Sequence, residues 1–273
     1  MKNTLLLFTF IISFTVNSFA TVDTVSIYSN AMHKNIKAVV IKPASYKKEK
    51  DFAVVYLLHG AYGNFANWIK KVPALQAYAD QYKMLIVCPD GAVTSWYFDS
   101  PVDSTFKYET HIAFEVPAFI DANYKTKNDR KYRAIAGLSM GGHGAFFVAF
   151  RHSETFGACG SMSGALNVES ITKGYDVDKR LGNYETNKSY YKDFSVSNII
   201  EKQPKDSLAI IIDCGVQDFI FPMSKAVHDK MNKLKIAHDY IERPGKHDWP
   251  YWANAVGYQL MFFKNFFDKS QNK

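Results

Sequence analysis

Ser139 stands between glycines in "GLSMGG" (137–142), where the apolar run "YRAIAG" gives way to the small-residue, helix-like run "GGHGAFFVAF". Gly137, Ser139 and Gly141 fit G-x-S-x-G, the pattern of a nucleophile elbow, in which a strand turns sharply into a helix and holds a serine hydroxyl out at the sheet edge. The flanking glycines permit that strained turn and let strand and helix approach closely. A near copy, "GSMSG" (160–164), carries Met162 at its centre and fails the pattern. A serine hydroxyl is a weak nucleophile by itself. It needs a base to take its proton, and the base needs an acid to orient it.

The elbow architecture supplies these partners in the chain order Ser, Asp or Glu, His. Three histidines lie far enough downstream. His228 falls mid-helix in "SKAVHDKMNKL" and His238 opens the strand "HDYIERP", so both read as structural. His247, in "RPGKHDWPYW", sits in a loop between a strand and the last helix. Loops at strand C-terminal ends are where such sheets place their chemistry, which makes His247 the candidate base. For the acid, "AIIIDCGVQDF" offers two carboxylates. Asp213 is still inside the apolar strand, where a charge is costly to bury. Asp218 follows a Gly-containing turn and can point back toward the His247 loop, so it is the candidate acid. An oxyanion needs donors as well. The N–H of Met140, just after the nucleophile, is one candidate, and the N–H of Ala61 in "HGAYGN" (59–64) is the other. Each such donor is worth about 3–4 kcal/mol of transition-state stabilisation.

The elements that must position these residues read as alternating β and α. Strands are expected at 24–29, 35–42, 53–59, 84–89, 132–138, 156–162, 208–214 and 237–243, and helices at 73–82, 109–124, 141–152, 222–235 and 251–268. Alternation of this kind calls for a mostly parallel sheet covered on both faces. Pro117 is expected to kink the helix "HIAFEVPAFIDANY". The stretch 165–205 breaks the alternation. It is polar, tyrosine-rich and without a period ("GYDVDKRLGNYETNKSYYKDF"), the character of a functional or mobile connection. No second core or internal repeat is visible, so residues 21–273 are expected to form one domain.

Bulk properties narrow the classes. The 273 residues carry 33 Lys and Arg against 26 Asp and Glu, a net charge of +7 with the lysines scattered in short runs such as "KKEK" (47–50). That is a solvated face, and no nucleic-acid motif accompanies it. Lys2, the apolar "LLLFTFIISFTV" and the small-residue "SFA" read as an export signal cleaved after Ala20. The apolar run is short of the ~20 residues of a membrane span, so no anchor is expected after cleavage. Cys88, Cys159 and Cys214 each sit in an apolar or small-residue run and read as buried free thiols. With no C-x-x-C or H-x-x-x-H, no metal site is expected.

With these motifs in place, the chain resembles the esterase D group of α/β-hydrolases, which includes tributyrin-type esterases, feruloyl and acetylxylan esterases of the first carbohydrate-esterase family and, more distantly, the mycolyltransferase antigens. "YLLHGAYGN", "SWYFDSP", "AIAGLSMGGHGAFFVAF", "DCGVQDF" and "RPGKHDWPYW" carry the resemblance, which runs over roughly 50–268. It implies an α/β-hydrolase fold with a mostly parallel central sheet and helices on both faces. It also implies Ser139 as nucleophile, Asp218 as acid, His247 as base, the Ala61 and Met140 N–H groups as oxyanion hole, and no cofactor. The expected substrate is a small or polysaccharide-linked acetyl or feruloyl ester. S-formylglutathione hydrolases share the group but work in the cytosol, which an export signal disfavours. In "SWYFDSP", Trp96 is a candidate to stack on a sugar or phenolic ring, with core packing the rival account for Tyr97 and Phe98. Trp249 and Trp252 either wall the pocket or anchor the last helix, the anchor being preferred. An acyltransferase with a sugar acceptor and a non-catalytic carbohydrate binder are the alternative readings. Oligomeric state leaves no trace in the sequence.

Overall fold

The computed structural model describes residues 20–202 and 207–271. The proposed signal segment 1–20 therefore lies outside the described residues except for Ala20. Eight strands form one sheet: β1 (Thr21–Ser29), β2 (Lys34–Lys42), β3 (Ala53–Leu58), β4 (Met84–Pro89), β5 (Arg133–Leu138), β6 (Ala158–Met162), β7 (Ala209–Gly215) and β8 (Asp239–Arg243), in the order β1-β2-β4-β3-β5-β6-β7-β8. β2 runs against both of its neighbours, and every other pairing is parallel. Every residue of β3, β4, β5 and β6 is buried. That is the burial expected of parallel strands covered on both faces, and it is why these segments read as continuous apolar runs rather than alternating ones.

Helices α1 (Asn67–Lys71), α2 (Leu75–Tyr82), α3 (Val116–Asn123), α4 (Met140–Arg151), α5 (Val177–Leu181), α6 (Lys188–Asp193), α7 (Val196–Ile199), α8 (Phe221–Leu234) and α9 (Trp249–Gln271) complete the layers. Strand side chains divide by parity. Val54, Tyr56 and Leu58 of β3 join one core with Phe146, Phe147 and Val227, while Val55 and Leu57 join the other with Trp252, Leu260 and Phe263. The two cores are the two faces of the sheet. Buried residues of α9 recur at helical spacing (Trp252, Val256, Leu260, Phe263, Phe267), so one stripe packs and the rest faces water. α4 is buried along nearly its whole length, which explains its small and aromatic composition.

Two expectations need refinement. The helix expected over 109–124 opens with Tyr108–Thr110 and a wide π turn at His111–Glu115, and only then continues as α3 with Pro117 in its first turn. Pro117 has no N–H to offer the preceding turn, and a wide turn accommodates the missing bond. The part of the stretch 165–205 among the described residues, 165–202, is a packed cap. It carries α5, α6 and α7 and buries Leu166, Val177, Leu181, Tyr191, Val196 and Ile199 in the core next to α4. Its apolar residues were hidden because each helix is too short to show a period. All three cysteines are buried and free, as expected.

Candidate active site

Ser139 follows β5 directly and caps α4 with φ 53° and ψ −117°, a strained conformation for a residue with a side chain. The neighbouring glycines explain why the turn closes. A Cβ on Gly141 would stand 2.5 Å from the His59 carbonyl oxygen and 2.7 Å from that of Leu58, so only glycine lets α4 rest on the end of β3. The Ser139 hydroxyl lies 3.0 Å from Nε2 of His247. On the other side of the ring, Nδ1 lies 3.0 and 2.9 Å from the two oxygens of Asp218. The serine comes from the end of β5, the carboxylate from the turn after β7 and the imidazole from the loop after β8. The sheet thus gathers at one edge three residues spread over 109 positions.

Electrostatics sort the two aspartates. Burial pushes the Asp218 carboxyl up, but hydrogen bonds from His247 and the Ile220 N–H outweigh it and hold it below the usual carboxylate range. Asp213 is fully buried but not idle. It accepts from the Tyr251 hydroxyl and from Arg243 at 2.8 Å, and burial still holds its pKa above the ordinary value. Asp213 thus ties β7 to β8 and α9, away from the imidazole. His228 and His238 pair with each other, Nδ1 to Nε2 at 2.8 Å.

The N–H groups of Ala61 and Met140 donate to no protein acceptor among the described residues, which leaves both free for an oxyanion. His59 arranges one of them. Its Nε2 accepts the Gly91 N–H at 2.8 Å, which puts the ring proton on Nδ1, and Nδ1 donates to the Gly60 carbonyl at 2.8 Å. The Gly63 N–H also donates to that carbonyl, at 3.1 Å. Gly60 C=O and Ala61 N–H belong to one planar trans peptide, so holding the carbonyl orients the N–H to the opposite side. Burial keeps His59 below the ordinary histidine pKa, in the neutral form this role needs.

Two depressions meet at Ser139. One is small and apolar, and is lined by Trp96, Met140, Ala165, Ile171, Tyr175 and Phe219 among others. The other is a larger, more polar, open groove with Tyr62, Asn67, Tyr175, His247, Trp249 and Trp252 on its walls. Trp96 therefore reaches the site, but it is only 2% exposed, stacks on Phe98 and spends its indole N–H on the Tyr175 carbonyl at 2.9 Å. It is wall rather than an open stacking platform. Tyr97 and Phe98 are core. Trp249 and Trp252 do both things expected of them, lining the groove and packing into the core beside Trp68. Sequence reasoning missed Tyr175, Phe219, Ile220, Ala165 and Ile171. Proximity to Asp218 could have pointed to Phe219 and Ile220, whereas the cap residues left no local signal.

Residues 29–262 match the family model described as "Putative esterase". The chain is 24% identical over 255 residues to an acetyl esterase of Caldicellulosiruptor saccharolyticus, a match that covers 85% of this chain and 94% of that protein. It is 34% identical over 122 residues to the diacylglycerol acyltransferase/mycolyltransferase Ag85A of Mycobacterium tuberculosis, covering 41% of this chain and only 35% of that one. Among solved structures, a ferulic acid esterase superposes with a TM-score of 0.79 at 28% identity, over 92% of this chain and 100% of that one. The apoenzyme of an S-formylglutathione hydrolase from Staphylococcus aureus gives 0.77 at 19% identity, over 90% and 99%, a likeness of fold alone.

Proposed function

The chain belongs to this esterase family and is a carboxylic-ester hydrolase of the α/β-hydrolase fold; from that premise we propose that it is an exported serine esterase acting on carbohydrate-linked acetyl or feruloyl esters. Ser139 Oγ attacks the ester carbonyl carbon while His247 Nε2 takes its proton. The developing oxyanion is held by the Ala61 and Met140 N–H groups. Asp218 keeps the proton on Nδ1 and stabilises the imidazolium without itself taking up the proton. His247 then protonates the departing alcohol, leaving an acyl group on Ser139. Water, deprotonated by the same imidazole, attacks the acyl-enzyme and frees the acid.

The observation that carries this reading is the unbroken line of hydrogen bonds from Asp218 through His247 to Ser139, with two unspent N–H groups beside it. Acetyl and feruloyl esters are supported by the names of the acetyl esterase and ferulic acid esterase relatives. A sugar on the alcohol side is supported by the aromatic groove of Tyr62, Trp249 and Trp252. Export rests on the character of residues 1–20, which would leave a single domain over 21–273. Among the described residues no helix is long and apolar enough to cross a membrane. The partial match to a mycolyltransferase favours a second reading, in which a sugar hydroxyl replaces water as acyl acceptor. Product analysis with an added sugar acceptor separates the two.

The test is turnover of p-nitrophenyl acetate, p-nitrophenyl butyrate and methyl ferulate by the mature protein and by Ser139→Ala. Loss of the nucleophile should lower kcat by about 10⁶ while leaving the circular dichroism spectrum intact. Near wild-type turnover in a folded Ser139→Ala protein would overturn the assignment.

A further inference from the structure

Three consecutive residues of the cap, Gly174, Tyr175 and Asp176, have φ of 93°, 52° and 55°. Two of them carry side chains in the left-handed region, and such strain persists only where the surroundings fix it. They are fixed from the sheet side: the Trp96 indole N–H donates to the Tyr175 carbonyl at 2.9 Å, and the Thr94 hydroxyl donates to the Asp176 carboxylate at 2.8 Å. The result is a tyrosine held over the nucleophile. Tyr175 is 42% exposed, and its ring lies 5.9 Å from that of Tyr62 on the oxyanion loop.

Tyr175 also stands where the two depressions meet. The apolar depression and the polar groove have three residues in common: Ser139, Ala61 and Tyr175. The first two are assigned to the chemistry, so Tyr175 is the partition. On one side of it lie Trp96, Ile171, Phe219 and Ile220, whose side chains offer an ester no free hydrogen-bonding group, since the Trp96 N–H is already taken. On the other lie Asn67, His247 and the exposed ring of Tyr62.

We propose that Tyr175 is a specificity-determining residue that closes off the apolar depression as an acyl pocket and limits it to short aliphatic acyl groups, with the alcohol leaving through the polar groove. A feruloyl group would bring a phenol hydroxyl and a methoxy oxygen against apolar walls, and its length would carry it into Tyr175. This inference rests on the esterase reading above. It selects the acetyl side of that reading, and it makes Trp96 a positioning residue that acts through Tyr175.

The experiment is a series of p-nitrophenyl esters from acetate to octanoate, with methyl ferulate, on wild type, Tyr175→Ala, Tyr175→Phe and Trp96→Phe, each at a concentration of active sites titrated with an organophosphonate. Wild type should favour acetate and butyrate. Tyr175→Ala should raise the hexanoate-to-acetate ratio of kcat/KM at least tenfold, since each methylene newly sheltered from water is worth about fourfold. Tyr175→Phe, which keeps the ring, should hold the wild-type ratio. Trp96→Phe, which removes the N–H that pins the turn and replaces a wall of the same depression by a smaller ring, should shift the ratio in the direction of Tyr175→Ala and by less. Should Tyr175→Ala fail to fold, Tyr175→Leu shortens the same wall and carries the same expectation. A ratio within about twofold of wild type in an active variant with a shortened side chain would overturn the partition and leave the esterase standing. Absence of serine-dependent turnover by wild type on every ester would overturn both.

Discussion

Asp218 and Asp213 are five residues apart, both buried, and only one of them faces the imidazole. The difference lies in what else each carboxylate touches. Asp213 is saturated by Tyr251 and Arg243, so it serves the joint between β7, β8 and α9; Asp218 receives the Ile220 N–H, is bonded by the Ser163 side chain, and turns both oxygens to His247. Asp218→Asn keeps the shape but can leave the imidazole in the wrong tautomer, with Nε2 carrying the proton where it should accept one. The expected cost is about 10⁴ in kcat near neutral pH, with KM little changed. Steady-state kinetics on p-nitrophenyl acetate reads it, and a loss confined to KM would point to a merely structural carboxylate. At this scale the sequence was informative wherever chemistry imposes a chain order and a spacing. Ser139, Asp218 and His247 could be picked out because an elbow, a turn after a strand and a loop before a helix each have a local signature. Tyr175 could not, because nothing in "KGYDVD" says that its neighbours in space are Trp96 and Tyr62.

The strands were legible as elements because a parallel strand buried on both faces must be largely apolar, and "AVVYLL", "MLIVCP" and, Asp213 apart, "AIIIDCG" are. The short helices of the cap were not, since four to six residues make little more than one turn and their stability comes from packing rather than periodicity. α4 shows what the elements owe to one another. Its N-terminus lies against the end of β3, so that Met140 and Ala61 border the same depression, and Gly141 is the contact point. In Gly141→Ala the new methyl would meet the carbonyl oxygens of His59 and Leu58, both backbone atoms that cannot turn aside. Stability should fall by about 1–3 kcal/mol, read as a lower urea midpoint at unchanged slope, and kcat should fall with it as the two donors separate. An alanine variant matching wild type in both would mean that α4 has room to move, and that the glycine is there for some reason other than close approach.

For the molecule as a whole, the cap rests as a roof on the sheet, and the His143 side chain fastens it to α4. His143 lies one turn after Ser139 on α4, buried between the rings of Trp96, Phe98 and Phe147, and bonds through Nε2 to the Phe194 carbonyl at the end of α6. Burial lowers its pKa from 6.5 to about 3, so the folded protein holds it neutral and donating to that carbonyl. The unfolded chain takes up a proton below its ordinary value. The stability His143 contributes is therefore complete above pH 6.5 and drains away as pH falls toward 3. His59 and His111, lowered by burial, act in the same direction, and Asp218 adds a loss at lower pH as it falls through its depressed folded value. His152 runs the other way: burial lowers it, but Glu109 more than compensates and raises it, so its contribution is present below 6.5 and lost as pH rises through the folded value. A variant isolates His143 from these. His143→Gln keeps a donor for Phe194 and removes the titration. The stability advantage of wild type over the variant should shrink by about 1.4 kcal/mol for each pH unit between 6.5 and about 4.5. Urea unfolding of the two proteins across that range measures it directly. A gap that stays constant with pH would mean that water reaches the ring in the folded state, and with it that the cap lifts from α4 instead of resting on it.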